Sequence, residues 1–310
     1  MKSVVNTPQG PVVREIAEPV AAGPHEALVA VRAFSINRGE LALLKMRTDH
    51  WRPGQDIAGV VVEAAADGSG PAPGTRVAAL VEGAGWSEQV AVPTDRLAVL
   101  PDTVTVEQAA ALPLAGLTAL RTVRLAGALL GRRVLVTGAN GGVGRFQVQL
   151  AVASGATVTA YSAQAGAQAG SQAQTQDGAQ EFGPFDVVLE SVGGATLTAA
   201  LAAIAPGGTI VVLGTSSGEK TPIDIYDFIG HEGARLISYL SYAQPDAIGQ
   251  DLQTLVDLVA AGRLHTTLSH VADWSDLVPV LDDFRARRLP GGKAVLTIGG
   301  PSEIRGRTAA

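Results

Sequence analysis

Apolar residues form short runs along this chain, and their spacing changes near residue 106. In the first hundred residues, runs such as ALVAVR at 27–32 and IAGVVVE at 57–63 are separated by turns rich in Gly and Pro. This pattern predicts a mostly β domain. Beyond residue 106, segments with helical spacing alternate with apolar strands, which predicts an α/β fold with a parallel, doubly wound sheet.

The predicted elements of the second part alternate in type. We expect helices over 107–112, 117–125, 146–152, 251–261 and 274–288. We expect strands over 133–137, 156–161, 185–189, 209–213 and 293–298. Residues 163–180 are almost entirely Ala, Gln, Gly, Ser and Thr, which predicts a loosely packed helix or a loop, and the tail from residue 301 is expected to be disordered.

A glycine-rich turn is the most informative motif. It stands in RVLVTGANGGVG at 133–144, after β-branched residues and before a helix. In that context glycines let the main chain approach a pyrophosphate, and the N–H groups of the opening helix point at the anion. We expect Gly141 to take backbone angles closed to other residues. The candidate contacts with a dinucleotide are Asn140, Gly141, Gly142 and Val143.

The end of the second strand indicates which nicotinamide cofactor is preferred. An acid there binds the ribose of NAD, and a base accommodates the phosphate of NADP, but Tyr161 and Ser162 supply neither. Without an acid a 2′-phosphate is not repelled, and Ser162 can donate a hydrogen bond to it. We therefore predict NADPH, with either weak discrimination against NADH or unusually poor affinity for NADPH, because no base is present to pair with the phosphate. Residues after later strands are expected to line the nicotinamide half of the site, unless they serve only as turns: Val192, Gly214, Thr215 and Ser216.

Composition removes several classes of function. The chain has 310 residues, 46% of them hydrophobic, which is enough for two domains. It has no cysteine, a net charge of −6 and 4% aromatic residues, so we expect no disulfide, no thiolate zinc site and no nucleic-acid partner. No apolar run reaches the length of a membrane span and no signal peptide is recognised, so a cytoplasmic protein is expected.

Five further motifs occur in an order typical of one family: SINRGE at 35–40, PGQDIAG at 53–59, PGTRV at 73–77, GLTAL at 116–120 and ESVGG at 190–194. With the glycine turn, they resemble the zinc-independent quinone oxidoreductase branch of the medium-chain dehydrogenase/reductase superfamily. The resemblance implies a GroES-like β domain, over 1–115 and 263–310, and an inserted Rossmann domain over 116–262. It also implies an active site in the cleft between the two parts and a homodimer formed through a sheet edge near 236–239.

The same resemblance bears on metal binding. Zinc-dependent relatives hold their metal with Cys and His at the positions that look equivalent to Asn37 and Gln55, which are amides here. The histidines show no paired spacing typical of a metal site: His25, His50, His231, His265 and His270. We therefore expect no metal.

The resemblance assigns roles to a few side chains. Asn37 would face the nicotinamide and the substrate, Thr118 would contact the nicotinamide end, and Lys293 would reach the cofactor. Asn37 is alternatively a loop-capping residue. Many relatives carry a tyrosine where this chain has LALLK at 41–45, so the proton donor stays open among four side chains. These are Lys45, His50, Tyr239 and Tyr242.

The function expected from this reasoning is zinc-free, NADPH-dependent transfer of hydride to a quinone or to an α,β-unsaturated carbonyl. Hydride transfer asks the protein mainly for geometry and for donors to a developing negative charge. Two alternatives remain open. One is a biosynthetic tailoring enoyl reductase of the same fold, and the other is a non-catalytic NADP(H)-binding or structural protein.

Overall fold

The computed structural model describes residues 1–162 and 183–299. By the contacts among these residues the chain divides into two compact units. The first comprises Met1–Leu117 with the described residues from Asp246 onward, and the second comprises the described residues of Thr118–Pro245. The first unit thus includes the helix expected at 251–261, which the sequence interpretation assigned to the nucleotide-binding part.

The strands and helices are given in chain order. The strands are β1 Lys2–Thr7, β2 Gly10–Glu15, β3 Glu26–Ile36, β4 Asp56–Glu63, β5 Arg76–Leu80, β6 Gln89–Pro93, β7 Leu97–Val99, β8 Arg133–Thr137, β9 Thr157–Tyr161, β10 Phe185–Glu190, β11 Ile204–Val212, β12 Arg235–Ser238, β13 Leu268–Asp273 and β14 Lys293–Thr297. The helices are α1 Arg38–Met46, α2 Val106–Ala110, α3 Pro113–Leu125, α4 Gly142–Ala153, α5 Gly194–Ala202, α6 Ile248–Ala260 and α7 Leu277–Arg285.

The first unit is built on a mostly antiparallel sheet. Its strand order is β13-β14-β3-β4-β5-β7, with β6 also paired to β3, and β1 and β2 form a separate hairpin. Alternate residues of β3 and β4 point into a core in which the rings of Phe34 and Trp86 stack with centroids 5.6 Å apart. The alternating apolar pattern of the sequence is thus explained by one buried sheet face.

The second unit is a five-stranded parallel sheet in the order β12-β11-β10-β8-β9. Its strands are apolar runs because both faces of a parallel sheet are covered. The side chains of Val188, Leu201 and Ile204 are buried together between α5 and the sheet. The predicted α/β class, with a GroES-like domain and a Rossmann domain, is confirmed.

The predicted elements agree with the structure except at some boundaries. The helix expected over 274–288 begins as a 3₁₀ turn at Trp274–Asp276 and is α-helical only over Leu277–Arg285. The strand expected over 209–213 begins at Ile204. Two predictions, for residues 163–180 and for the tail from 301, lie outside the described residues. Among the helices that the structure describes, none combines the length and apolar character needed to cross a membrane.

Candidate active site

The glycine turn of the second unit joins β8 to α4. The chain reverses at Gly138, whose φ is +61° and whose carbonyl oxygen accepts a hydrogen bond from Gly141 N at 2.8 Å. Gly141 precedes α4 with φ −73° and ψ 170°, which are ordinary extended angles. The prediction that Gly141 takes angles closed to other residues is therefore wrong. The residue that needs a left-handed conformation is Gly138, because the strand turns back there before the helix begins.

The glycine turn packs directly against the start of α4, and this close packing requires glycine at position 144. A Cβ on Gly144 would overlap the carbonyl oxygen of Gly138 and lie 2.7 Å from Ala139 Cα. The first turn of α4 leaves backbone N–H groups without a partner inside the helix, and these groups carry the positive end of the helix dipole. The cradle thus fits a pyrophosphate, and Asn140, Gly141, Gly142 and Val143 all lie in it.

A buried carboxylate holds the neighbouring loop in place. Glu190, at the end of β10, is fully buried, and its Oε1 accepts hydrogen bonds from Val192 N at 2.8 Å and Gly193 N at 3.0 Å. The same oxygen accepts from Thr137 Oγ1 at 3.1 Å, and Thr137 Oγ1 accepts from Ser191 N at 2.9 Å. Glu190 and Thr137 therefore connect the loop after β10 to the glycine turn.

The other predicted cofactor residues of this unit follow the carboxyl ends of its strands. Tyr161 ends β9, and its carbonyl oxygen accepts from Ala139 N at 3.0 Å, so β9 is tied to the glycine turn. Val192 O accepts from Ser217 N at 2.9 Å, and Ser191 O accepts from Ser216 N at 3.1 Å. The structure therefore brings the loop after β10 together with the Gly214, Thr215 and Ser216 loop. Ligands of open α/β sheets bind at this edge.

Thr118 lies in α3 and is 7% exposed. Its carbonyl oxygen accepts from Thr122 Oγ1 at 2.7 Å, and Thr122 Oγ1 in turn accepts from Gln147 Nε2 of α4 at 2.8 Å. These contacts fix α3 against the helix that opens at the glycine turn. The contact of Thr118 with a nicotinamide stays a prediction.

A second polar site lies in the first unit, where β3 ends and its two neighbours β4 and β14 begin. Ser35 of β3 pairs directly with Asp56 of β4, and on the other side Ile36 pairs with Ala294 of β14. The antiparallel register, continued by one position, sets Lys293 opposite Asn37. Because side chains alternate between the faces of a sheet, Ser35 and Asn37 lie on the same face. Ser35, Asn37, Asp56 and Lys293 are called the Asn37 cluster below.

The Asn37 cluster is fully connected by hydrogen bonds. Asp56 Oδ2 accepts from Ser35 Oγ at 2.6 Å and from Asn37 Nδ2 at 2.8 Å, while Asp56 Oδ1 accepts from Leu114 N at 2.8 Å. Lys293 Nζ donates to Asn37 Oδ1 at 2.6 Å and lies 3.1 Å from Asp56 Oδ2. Asp56 is fully buried and Lys293 is 4% exposed, so this is a buried ion pair that closes through the Asn37 amide.

Glu40 fastens the backbone around this cluster. Its Oε2 accepts a hydrogen bond from Asn37 N at 2.8 Å, and its Oε1 accepts one from Gln55 N at 2.9 Å. One carboxyl group therefore holds the backbone of both residues, Asn37 and Gln55. Burial, followed by the negative charge of Asp56, raises the pKa of Glu40 to about 8. The hydrogen bond from Asn37 N, the charge of Lys293 and the hydrogen bond from Gln55 N oppose this rise in pKa.

Asn37 is 8% exposed and is the N-terminal cap residue of α1. One hydrogen of its Nδ2 group is donated to Asp56, and the other has no partner among the described residues. The side chain can therefore still donate one hydrogen bond to a ligand oxygen. The resemblance directs Lys293 toward the cofactor, but its ammonium group donates hydrogen bonds to Asn37 and Asp56 of the cluster. Its contact with the cofactor stays a prediction.

Sequence reasoning assigned no role to Asp56, Glu40 or Glu190. All three carried a signal. Asp56 opens an otherwise apolar strand, where a carboxylate needs a partner, and Glu40 stands three residues after Asn37, the spacing of a capping box. Glu190 likewise ends an apolar strand. The partners of these carboxylates depend on strand pairing that no local pattern reveals.

The donor set does not suit zinc. The chain has no cysteine, and Asn37 and Gln55 stand where the resemblance places ligands. The nearby carboxylates Asp56 and Glu40 already accept hydrogen bonds from protein groups through both of their oxygens. Within the part of the chain that the structure describes, His, Asp and Glu side chains form no group of three that would hold a metal ion.

Comparison with protein families matches both units. Residues 23–102 match the alcohol dehydrogenase GroES-like domain, and residues 158–296 match the zinc-binding dehydrogenase domain. Among curated proteins, the spectinabilin polyketide synthase system protein NorB of Streptomyces orinoci is 38% identical over 303 residues, which are 92% of this chain. The chain spans only 14% of the length of that protein.

Solved structures match along almost the whole chain. The mycobacterial protein Rv1454c in complex with NADPH superposes with a TM-score of 0.83 at 22% identity, covering 96% of this chain and 100% of that one. The quinone oxidoreductase of Pseudomonas syringae pv. Tomato DC3000 superposes with a TM-score of 0.80 at 25% identity, covering 96% of this chain and 99% of the other.

Proposed function

Because the chain belongs to the medium-chain dehydrogenase/reductase superfamily, in its quinone oxidoreductase-like branch, we propose that it is a zinc-free, NADPH-dependent reductase. Its substrate would be a quinone or an α,β-unsaturated carbonyl compound. The observation that carries the proposal is the cradle of the glycine turn, which is closed to any side chain at Gly144. The second unit would bind the dinucleotide, and the first would supply contacts with the substrate.

The glycine turn and the loops beside it would hold the cofactor. Backbone N–H groups at the start of α4 would bind the pyrophosphate, and Val192, Gly214, Thr215 and Ser216 would line the nicotinamide half. When bound, NADPH supplies the hydride. The preference for NADPH is supported by the absence of an acid at Tyr161 and Ser162, and by the fold shared with a mycobacterial protein solved with NADPH.

Asn37 would act as the donor to the substrate oxygen. Negative charge develops on that oxygen when a carbonyl or quinone receives a hydride, and a fixed donor in a dry site stabilises it. Removal of one such donor typically costs about 2.7–4 kcal/mol of barrier lowering. The remaining Nδ2 hydrogen of Asn37 supplies this donor without a metal, which agrees with a donor set that does not suit zinc.

A second candidate is an enoyl reductase of polyketide biosynthesis. It is favoured by one specific observation, the 38% identity with a polyketide synthase system protein over 92% of this chain. The conjugated carbonyl group of such a substrate would need the same donor from Asn37. This candidate therefore differs from the first in its substrate, which would be an enoyl thioester. The roles proposed for the residues are unchanged.

We also propose a homodimer formed through β12. This strand is the edge of the parallel sheet, and edge strands expose backbone groups that can pair with a second copy. Large apolar side chains that are exposed by more than two thirds lie in the segments flanking it: Ile225, Tyr226, Ile229 and Tyr242. Analytical ultracentrifugation tests this proposal, because a Leu236→Lys change would dissociate a dimer that uses the edge.

The experiment that tests the function measures loss of the reduced nicotinamide absorbance. The protein is incubated with NADPH or NADH and with a panel of quinones, enones and enoyl thioesters. Faster turnover of quinones supports the first candidate, and faster turnover of enoyl thioesters supports the second. Binding of NADPH without turnover of any compound would refute both and would favour a non-catalytic nucleotide-binding protein.

A further inference from the structure

The orientation of the Asn37 amide is set by two oppositely charged partners. Lys293 has only hydrogen-bond donors, so it must face the amide oxygen, and ionised Asp56 has only acceptors, so it must face the amide nitrogen. The distances of 2.6 Å and 2.8 Å agree with this assignment. A flipped amide would place nitrogen against the ammonium and oxygen against the carboxylate, which loses both hydrogen bonds.

Lys293 also changes the strength of the amide as a donor. The positive charge of Lys293 at the oxygen withdraws electron density from the amide, and hydrogen bonds in a chain polarise one another in a low-dielectric site. The surroundings are dry, because Asp56 is fully buried and Lys293 is 4% exposed. The free Nδ2 hydrogen is consequently held in one direction and made a better donor than that of an amide in water.

We propose that Lys293, held by Asp56, is a positioning residue that orients and polarises the Asn37 amide toward the substrate oxygen. The proposal rests on the proposed function, because it assigns to Lys293 an action through Asn37. It also replaces a direct contact with the cofactor as the main role of Lys293, since the ammonium group already reaches Asn37 Oδ1, Asp56 Oδ2 and, at 3.5 Å, Ile36 O.

Kinetics of four proteins test the action through Asn37: wild type, Asn37→Ala, Lys293→Met and the double variant. We expect Asn37→Ala to lower kcat about 100-fold and Lys293→Met to lower it about tenfold, with the NADPH dissociation constant within about twofold of wild type. The double variant should be no slower than Asn37→Ala. If instead the two losses multiply, Lys293 does not act through Asn37 and the proposal is overturned.

Three additional variants separate positioning from folding. Lys293→Arg keeps a donor for Asn37 Oδ1 and should recover part of kcat. If Lys293→Met alone does not fold, Lys293→Met with Asp56→Asn removes both buried charges and should fold with the same loss of kcat. Lys2→Met changes an exposed lysine of the same unit and should leave kcat unchanged. A wild-type rate in any folded Lys293→Met variant would overturn the proposal.

Nuclear magnetic resonance decides the orientation without relying on turnover. The chain has only three asparagines, Asn6, Asn37 and Asn140, so labelling with ¹⁵N-asparagine gives three side-chain amide pairs. Asn37→Ala assigns the pair of interest. Lys293→Met should shift that pair and speed its hydrogen exchange at least about tenfold, while Lys2→Met should not. If the Asn37 pair is unchanged in Lys293→Met, the proposal is overturned. If the pair changes in Lys293→Met but the wild-type protein shows no reductase activity, only the proposed function is refuted.

Discussion

Thr137 Oγ1 donates a hydrogen bond to Glu190 Oε1 at 3.1 Å, and this contact joins the carboxyl ends of two neighbouring parallel strands. The same hydroxyl accepts from Ser191 N, so it is fully used between β8 and β10. Both strands end beside the proposed cofactor site. The hydroxyl group of Thr137 thus links the strand that leads into the glycine turn to the loop that follows β10.

Thr137→Val removes this hydroxyl while keeping the shape of the side chain. Ser191 N and one lone pair of Glu190 then lose their partner in a buried place, so we expect the free energy of unfolding to fall by about 1–3 kcal/mol. NADPH binding should weaken because the two loops lose one of the hydrogen bonds that connect them, while that from Ser191 Oγ to Thr137 O remains. Urea unfolding and fluorescence titration measure the two effects. Thr157→Val, an exposed change in β9, is the control, and equal losses in both variants would contradict the prediction.

Gly144→Ala tests the cradle itself. The new methyl group would meet backbone atoms of Gly138 and Ala139, which cannot move without opening the turn. We expect at least about a tenfold weaker binding of NADPH, in line with the roughly 1–3 kcal/mol cost of overpacking a tight contact. Gly39→Ala, in a helix and with no atom within 4 Å of the new Cβ, is the matched control for stability. Unchanged NADPH affinity in Gly144→Ala would remove this turn from the site.

The sequence alone predicted the elements and the glycine turn because these depend on local spacing. Short apolar runs between Gly and Pro mark strands wherever they occur, and the helix after residue 142 follows from its own periodicity. The backbone conformation inside the turn could not be predicted in the same way. The residue with positive φ is Gly138 and not Gly141, because the direction of the chain after β8 depends on the loop that packs on it, where Ser191 Oγ would lie 2.6 Å from a Cβ on Gly138.

The Asn37 cluster shows why the site could be predicted only in part. Asn37 and Lys293 were both recognised through a resemblance, but their contact was not predicted, since 256 residues separate them. The contact depends on the register of β14 against β3, and a shift by one residue would turn Lys293 to the other face of the sheet. Local patterns do not determine such a register, so Asp56 could be seen as a buried acid but not as the partner of Lys293.

Asp56→Ala should be among the most destabilising substitutions in the first unit. It leaves the ammonium of Lys293 buried without its counterion, which typically costs about 3–5 kcal/mol. Asp56→Asn combined with Lys293→Met removes both charges and should cost clearly less than Asp56→Ala alone. Urea unfolding of the variants measures these differences. If the double variant is as unstable as Asp56→Ala, the ion pair is not the reason for the loss.

Ser162→Asp tests the choice of cofactor. A carboxylate after β9 would bind the ribose hydroxyls of NADH and repel the 2′-phosphate of NADPH. We expect the ratio of the two dissociation constants to shift toward NADH by about tenfold or more, equal to about 1.4 kcal/mol. Isothermal titration with each nucleotide measures the ratio. Ser162→Ala is the control and should weaken NADPH without improving NADH, whereas an equal response to both nucleotides would place the ribose elsewhere.

Glu40 makes stability depend on pH in a defined direction. Its pKa is raised to about 8 in the folded protein, mainly by burial and then by the charge of Asp56, against about 4.3 in an unfolded chain. The folded state therefore keeps a proton that the unfolded state has lost, so this group favours folding below about pH 4.3, and the benefit is lost as pH rises to about 8. The loss reaches at most about 1.4 kcal/mol per pH unit.

The Glu40→Gln variant tests this pH dependence because its amide cannot titrate. Urea unfolding between about pH 5 and pH 9 should show a flatter profile for this variant than for wild type or for the exposed control Glu18→Gln. Parallel profiles in all three proteins would mean that Glu40 is ionised throughout this range and that its hydrogen bonds with Asn37 N and Gln55 N outweigh burial.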